Sequence, residues 1–372
     1  MQAARAILAS LLLALAACAG PVSTEPTARA QGEALEQRPA EVCEPSPLEA
    51  AELEALAFSS PERCDALVRS GRLLPRAPGT VRFGSWNVRF FPDGGPSGPS
   101  KPTDVAWLAC AIAFMQVDVL AVQEFLAPVG DSAARVGEKH RELVARLDAL
   151  TGGRWAIVLD ECEKNRPDRQ HVGFVVNRAR VELSRVRHVS KMNPDGGCRN
   201  LRPGLAADVR APGGLDLHVV SFHAKAYADA KSRGRREHVY ASMREIVEEI
   251  RRGSRETDLL VLGDFNTVGC EACPVPETPE DEARALAGAA EAAGLVHVAT
   301  NRPCSHFWDR QGRFGRLDHV LADASMRELR GSVRVSGFCA ATACAHHGGA
   351  AHAALSDHCP LLVDLVDEDR DP

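Results

Sequence analysis

No long run of lysine or arginine occurs in the 372 residues, and 44 Lys and Arg are outnumbered by 50 Asp and Glu, for a formal charge of −6. The basic stripe with which nucleic-acid-binding domains commonly grip a phosphate backbone is therefore missing, and only a local positive groove could replace it. Nor does any N-terminal apolar run reach bilayer length. Residues 6–17 make a segment of 12 residues, where a spanning helix needs about 20. Residues 19–42 hold no aromatic side chain and are rich in Ala, Pro, Glu, Gln and Thr, which suits a tether better than a core. What remains is ordinary globular material: 45% hydrophobic and 25% charged residues, enough for one large two-sheet α/β domain plus a tail.

The N-terminus carries a compartment signal. Arg5 precedes the apolar run, which closes on Leu15-Ala16-Ala17-Cys18. Small residues ending in cysteine resemble the bacterial lipobox, which implies cleavage before Cys18 and lipid on its thiol. Ala19 rather than Asp follows, so the expected address is the outer membrane of a bacterial envelope, on its periplasmic or surface face. The chain then divides into a signal peptide (1–17), a tether (18–42), a short helical segment (43–78) and a main domain (79–367). Ser46-Pro47-Leu48-Glu49 is a capping box with proline at the first helical position, and Ser60-Pro61-Glu62 repeats the start signal. Helices are expected over 47–57 and 61–70, as a packing appendage to the main domain.

The main domain repeats one pattern, an apolar strand that ends on a polar side chain. Residues 258–262 run into Gly263-Asp264-Phe265-Asn266, so a buried strand delivers an acid and an amide to a loop. Asp264 could take a proton from water or orient it, and Asn266 could donate to an anionic oxygen. The strand at 81–86 ends at Asn87, and the strand at 117–122 ends in Gln123-Glu124. The strand at 215–221 ends at Phe222-His223-Ala224-Lys225. Arg316-Leu317-Asp318-His319 puts Asp318 in a strand, and Ser356-Asp357-His358 precedes the last strand, 361–365. Further strands are expected at 155–159, 171–177, 181–189 and 205–210. The longest helical stretch is expected at 232–252, with Val239, Met243, Ile246, Val247 and Ile250 on one face.

Taken in order, Trp-Asn, Gln-Glu, Phe-His, Gly-Asp-Phe-Asn, Arg-Leu-Asp-His and Ser-Asp-His resemble the endonuclease/exonuclease/phosphatase superfamily. The resemblance runs over residues 81–366. It implies the DNase I-like fold, an α/β four-layer sandwich of two mostly antiparallel sheets flanked by helices, with the motif residues gathered at one rim. It further implies a metal site with Glu124 as ligand, completed or supported by Asn87 and Asp357, and taking magnesium, or else manganese or calcium. Asp264 would position or deprotonate the attacking water, Asn266 would hold a phosphoryl oxygen, and His223 would donate to developing charge. Asp318 would hold His358 in its tautomer, and Arg202 is a phosphate contact or else a surface salt bridge.

Two departures bear on substrate. Secreted nucleases of this family pair the first imidazole with a glutamate one strand earlier, where Gln170 or His171 stands here. After Asn266, Thr267-Val268-Gly269-Cys270 replaces the segment diagnostic of inositol phosphatases. The expectation is a lipid-anchored, monomeric phosphodiesterase acting on nucleic acid. The alternatives are hydrolysis of phospholipid, sphingomyelin or a small phosphoester, and an inactive surface-binding protein. No aromatic hairpin for entering lipid is evident in the sequence. Of 12 cysteines, Cys18 is reserved for lipid. Cys43 with Cys64, Cys162 with Cys198, and Cys339 with Cys344 read as bridges, and Cys110 and Cys359 as buried thiols. Cys270-x-x-Cys273 is expected to oxidise, the alternative being zinc shared with Cys304 and His306. His346, His347 and His352 read as a solvated loop near the rim.

Overall fold

The computed structural model describes residues 47–94, 101–130, 133–162, 170–194, 198, 202–308, 311–345 and 349–370. Cys18 and Cys43 lie outside these residues, as do His346 and His347. Helices α1 (Pro47–Ala57) and α2 (Pro61–Arg69) come first, then β1 (Thr80–Phe91), α3 (Val105–Phe114), β2 (Val119–Leu126), α4 (Ala133–Thr151), β3 (Trp155–Leu159), β4 (Gln170–Asn177), β5 (Glu182–Val189), β6 (Gly204–Arg210) and β7 (Asp216–His223). The second half is α5 (Ala230–Ala241), α6 (Met243–Arg251), β8 (Leu259–Asp264), α7 (Pro279–Ala292), β9 (Leu295–His297), β10 (His306–Trp308), β11 (Arg313–Gly315), β12 (Asp318–Asp323), β13 (Leu329–Val335), α8 (Gly337–Ala341), α9 (Gly349–Ala354) and β14 (Leu361–Val366).

Two six-stranded sheets result, ordered β13-β14-β1-β2-β4-β3 and β5-β6-β7-β8-β12-β9. Each holds one parallel pair, β1 with β2 and β7 with β8, among antiparallel neighbours. A parallel pair needs a crossover, and helices supply it: α3 links β1 to β2, and α5 with α6 links β7 to β8. The inner faces meet through residues such as Phe83, Phe174, Val219, Leu260 and Val320, all in one buried cluster. Helices α5, α6 and α7 cover the far face of the second sheet, where Val239, Ile246 and Leu286 join Val220, Phe222 and Val261. Four layers follow, as the family resemblance implies.

The expected long helix at 232–252 is two helices, parted at Ser242, which caps the C-terminus of α5. Among the described residues the longest helix is instead α4, with 19 residues, at a stretch where no helix was expected. Dividing the stretch lets α5 turn Arg236 inward while α6 keeps the apolar stripe of Met243, Ile246, Val247 and Ile250 buried. The helical pair α1 and α2 is stitched to the sheets. Glu54 accepts from Arg334 and Ser336, the Trp107 indole donates to the Ala57 carbonyl, and Cys64 is bridged to Cys110.

Cysteine pairing corrects several expectations. Cys162–Cys198 and Cys270–Cys273 are disulfides as expected, the latter leaving no thiolate pair for zinc. Cys64, however, pairs with Cys110, and Cys339 with Cys359, so neither Cys110 nor Cys359 is a free thiol. Cys344 pairs with Cys304. The sequence neighbours Cys339 and Cys344 were misleading because helix α8 and the segment before β14 bring more distant partners to bonding range.

Buried neutral histidines make the fold acid-sensitive. Burial pushes His140 down to about 4, against Phe91 and Phe125, and does the same for His297. An unfolded chain takes up these protons near pH 6.5 and the folded chain only near 4, so stability falls as pH drops through that window. His140 alone accounts for on the order of 3 kcal/mol. The melting temperature at pH 4.5 is expected below that at pH 7.5, and His140→Phe should shrink the difference by about 5 °C. An unchanged difference would show that other groups set the acid limb.

Candidate active site

Strand periodicity and register assemble the site. His223 on β7 pairs with Asp264 on β8, and Asp264 pairs with Asp318 on β12, so three motif residues lie side by side on one row. All three face the opposite sheet, and Asn87 at the end of the regular part of β1 faces back at them. Its Nδ2 donates to Asp264 Oδ2 at 2.9 Å and to Glu124 Oε1 at 3.2 Å, joining the sheets. Behind it, Gln123 donates to Ser221 at 3.2 Å, a second buried polar link.

Simple alternation would have sent Glu124 to the other face, since its neighbour Gln123 points inward. The backbone solves this. Register shifts occur between Asn87 and Phe91 in the β1–β2 pairing and between Val122 and Phe125 in the β2–β4 pairing. Glu124 itself has φ of 63°, and Asn266 has φ of 51°. Such left-handed non-glycine residues cost of order 1 kcal/mol or more and recur where a side chain must be re-aimed. Gly263 is required for a different reason: a Cβ there would sit 2.0 Å from the Phe222 carbonyl oxygen.

Asp264 is the electrostatic centre. Its Oδ1 accepts from the Asn266 N–H at 2.9 Å, and its Oδ2 lies 3.5 Å from His223 Nε2 and 3.7 Å from His358 Nε2. Burial pushes its carboxyl up to about 7, with His358 opposing and Asp318 adding. His358 has its Nδ1 2.9 Å from Asp318 Oδ2, which also accepts from Ser305 at 2.7 Å. Burial would lower His358, but Asp318 and Asp264 outweigh it and raise the imidazole to about 10. Asp357 lies 3.6 Å from Arg89 Nε and 3.9 Å from His306 Nε2. Burial raises its carboxyl, yet His358, His306 and Arg89 together hold it below the usual value.

The question of what orients His223 has an unexpected answer. Arg202 bridges, donating from Nη1 to Gln170 Oε1 and lying with Nη2 at 2.9 Å from His223 Nδ1, also 2.9 Å for the first. A guanidinium cannot accept, so Nδ1 must be the acceptor and the His223 proton sits on Nε2, facing Glu124 and Asp264. Burial, then Arg202, His358 and Lys225, press this imidazole well below its ordinary value. His171, the other candidate, turns away to Asp160.

Glu124, Asp264, Asp318 and Asp357 thus converge. Burial, then Asp357, raises Glu124, and Asp318 Oδ1 is buried with no hydrogen-bond donor. A surplus of oxygen ligands in a buried cluster suits a divalent cation. The carboxylate–imidazole pairs, 2.9 to 3.7 Å apart, are close enough to steer protons.

Two parts were missed at the sequence level. His306, considered only as a zinc partner for cysteines, lies against His358 with ring centroids 4.5 Å apart and the rings tilted by 54°, and burial pushes it down to about 3. The other is a buried ion pair: Arg236 meets Glu282 through two bonds of 2.7 and 3.0 Å. Arg236 also donates to the carbonyls of Lys225, Tyr227 and Gly269, and Glu282 accepts from the Gly269 N–H. One ion pair therefore ties the loop after His223 to the loop after Asn266. No sequence signal singled them out, since Arg236 stands among Arg233 and Arg235 and Glu282 follows Glu280 and Asp281.

A further correction concerns the rim. Strands β10 and β11 form a short hairpin carrying Trp308, 40% exposed, where no aromatic hairpin had been expected. Tyr227, 68% exposed with φ of 84°, stands four residues past His223 under the Lys225 ammonium, 4.7 Å from its ring centre. His352 lies on helix α9 rather than in a loop and is half-buried, its ring against Phe307 and Phe338.

Fold and site together define a DNase I-like sandwich with a carboxylate and imidazole rim. The chain belongs to the Endonuclease/Exonuclease/phosphatase family, whose model matches residues 84–358. Its members are hydrolases of phosphoesters and generally depend on a divalent metal. A similar solved structure is an endonuclease/exonuclease/phosphatase from Bacteroides vulgatus, 16% identical, covering 77% of this chain and 98% of its own, with TM-score 0.50. Others are a 3′-5′ exonuclease from Neisseria meningitidis (18%, 77% and 99%, TM-score 0.49) and a mannosyl-6-phosphatase from Bacteroides thetaiotaomicron (15%, 77% and 99%, TM-score 0.45). Among curated proteins, none matches this chain.

Proposed function

We propose that the protein is a divalent-metal-dependent phosphodiesterase that cleaves nucleic acid outside the cytoplasm, held to the bacterial envelope by lipid on Cys18. The observation that carries the chemistry is the row His223, Asp264, Asp318 with His358 and Asn87 closed over it. Asp264, raised to about 7, is a base able to accept a proton from water near neutral pH. The His358 imidazolium, braced by Asp318, and the Nε2–H of His223, fixed by Arg202, donate to charge growing on the phosphoryl oxygens. Asn266, whose Nδ2 bonds the Ala224 carbonyl at 3.2 Å, keeps a second amide hydrogen for the same oxygens. A divalent ion held by Glu124, Asp357 and Asn87 would supply Lewis-acid stabilisation of that charge.

Nucleic acid is favoured by the rim. Arg89, Arg202 and Lys225 collect near the acids, and burial, then Arg202 and Arg235, pull Lys225 below its ordinary value. Phosphates relieve such crowding of cations. Tyr227 and Trp308 add exposed rings on either flank, as sequence-tolerant stacking on bases requires. Five disulfides support export. Trp308 on its hairpin is the one observation that favours a second reading, a phospholipid or sphingomyelin phosphodiesterase, since indole also suits a lipid interface.

The test is cleavage by purified full-length protein of supercoiled plasmid, single-stranded oligonucleotide and sphingomyelin or phosphatidylcholine vesicles, with magnesium or chelator and with Asp264→Ala as blank. Nicking that needs metal and is lost in the variant is the expected result. Intact nucleic acid beside released phosphocholine would replace this reading with the lipid one.

A further inference from the structure

The hairpin that carries Trp308 also sets a third imidazole, His306, beside those of His223 and His358. Ser305 to Phe307 pair with Asp357 to Cys359: Phe307 N–H donates to the Asp357 carbonyl at 3.0 Å, Cys359 N–H to the Ser305 carbonyl at 2.7 Å, and His306 bridges His358. Backbone bonds on both sides hold His306 in place, and its side chain is 13% exposed. One nitrogen of His306, one of His358 and one oxygen of Asp357 lie within 4.8 Å of one another. No step of the proposed hydrolysis uses His306.

We propose that His306 joins His358 and Asp357 of the proposed hydrolytic site in a cation site selective for a borderline transition dication of the zinc class over magnesium. Two imidazoles and one carboxylate are the donor set of open zinc sites, whereas magnesium requires oxygen. Ligand atoms about 3.4 Å apart would satisfy tetrahedral bonds of roughly 2.0–2.1 Å, so the 3.9 Å between His306 Nε2 and Asp357 Oδ2, and the other separations of up to 4.8 Å, must close when the ion binds. The supporting shell is already built. His358 spends Nδ1 on Asp318, so a cation would take Nε2 in place of the proton that lies toward Asp264 Oδ2 at 3.7 Å, and a carboxylate behind a ligating histidine is the usual brace of such sites. Asp318 is itself fixed by Ser305, the residue before His306. The disulfides leave no described cysteine thiolate to compete for the ion.

The inference shares Asp357 and His358 with the proposed hydrolytic site but rests on geometry, not on that activity. An ion on His358 Nε2 removes the donor that hydrolysis uses, so zinc is expected to inhibit where magnesium supports. The decisive experiment is calorimetric titration of the full-length chain with Zn2+ alone, in a large excess of Mg2+, and the same titrations on His306→Leu. One tight zinc site that magnesium does not displace, weakened at least about 100-fold in the variant, is expected. Unchanged zinc affinity in a folded His306→Leu, or displacement by magnesium, overturns the proposal. Cobalt substitution gives a second reading on the wild-type protein: intense visible bands of a four- or five-coordinate nitrogen-ligated ion support it, and the weak spectrum of an all-oxygen octahedral ion overturns it. Both readouts stand whether or not the chain cleaves nucleic acid, so failure of one proposal is distinct from failure of the other.

Discussion

Asp264→Ala is expected to lower turnover of any phosphodiester substrate by at least about 10³-fold, since it removes both the base and the partner of two imidazoles. Stability should hold or rise. The carboxylate is buried, its carboxyl is raised to about 7 mainly by that burial, and in the folded chain it is a group held against its own solvation. Single-turnover kinetics with saturating magnesium, beside a melting curve, separates the two effects. Wild-type turnover in a correctly folded variant would remove Asp264 from the chemistry, and a large drop in melting temperature would recast it as structural. Because His223 and His358 lie within 3.7 Å of the same carboxylate, their own alanine variants should combine with Asp264→Ala far less than additively.

The largest effect on stability is expected elsewhere, at Glu282. Glu282→Ala strands the Arg236 guanidinium, fully buried and bound to three backbone carbonyls, without its counter-charge. Breaking a buried pair from one side costs about 3–5 kcal/mol. Urea unfolding with disulfides intact should show the midpoint fall at nearly constant slope. Replacing both partners, Arg236→Met with Glu282→Leu, should recover only part of that loss, because an apolar pair removes the stranded charge but leaves the Gly269 N–H and the three carbonyls without these partners. Activity should stay low in the double variant. Arg236 holds the carbonyls of Lys225 and Tyr227 beside that of Gly269, and an apolar pair cannot hold those loops. A double variant with full activity would show that the loops keep their places without the ion pair.

Local readings carried far at strand ends. An apolar run has few ways to stop, and when it stops on Asn87, Glu124, His223 or Asp264 the polar group must lie at a sheet rim where water or a ligand can meet it. The helix starts at Pro47 and Pro61 were legible for a similar reason, since capping is chemistry within four residues. The division of the 232–252 stretch was not. Its apolar period is continuous, and only the demand for Arg236 to reach Glu282 makes a break at Ser242 useful. Cysteine pairing failed the same way: Cys339 and Cys344 are near in sequence, but their partners Cys359 and Cys304 arrive through the sheet and the β10 hairpin.

Sequence by itself therefore determined ten of the fourteen described strands and the identity of the groups at their ends, because period-2 alternation and strand termination are local properties; β9, β10, β11 and β13 were not legible in it. Tertiary structure alone decided which groups touch. It set His223, Asp264 and Asp318 on one row through register, and re-aimed Glu124 through a bulge and a left-handed residue. It also put Arg202 behind His223 where a glutamate had been sought, and His306 beside His358. Those contacts join residues dozens of positions apart, and the free energy that selects them is the burial of two whole sheet faces, which no short window of the chain contains.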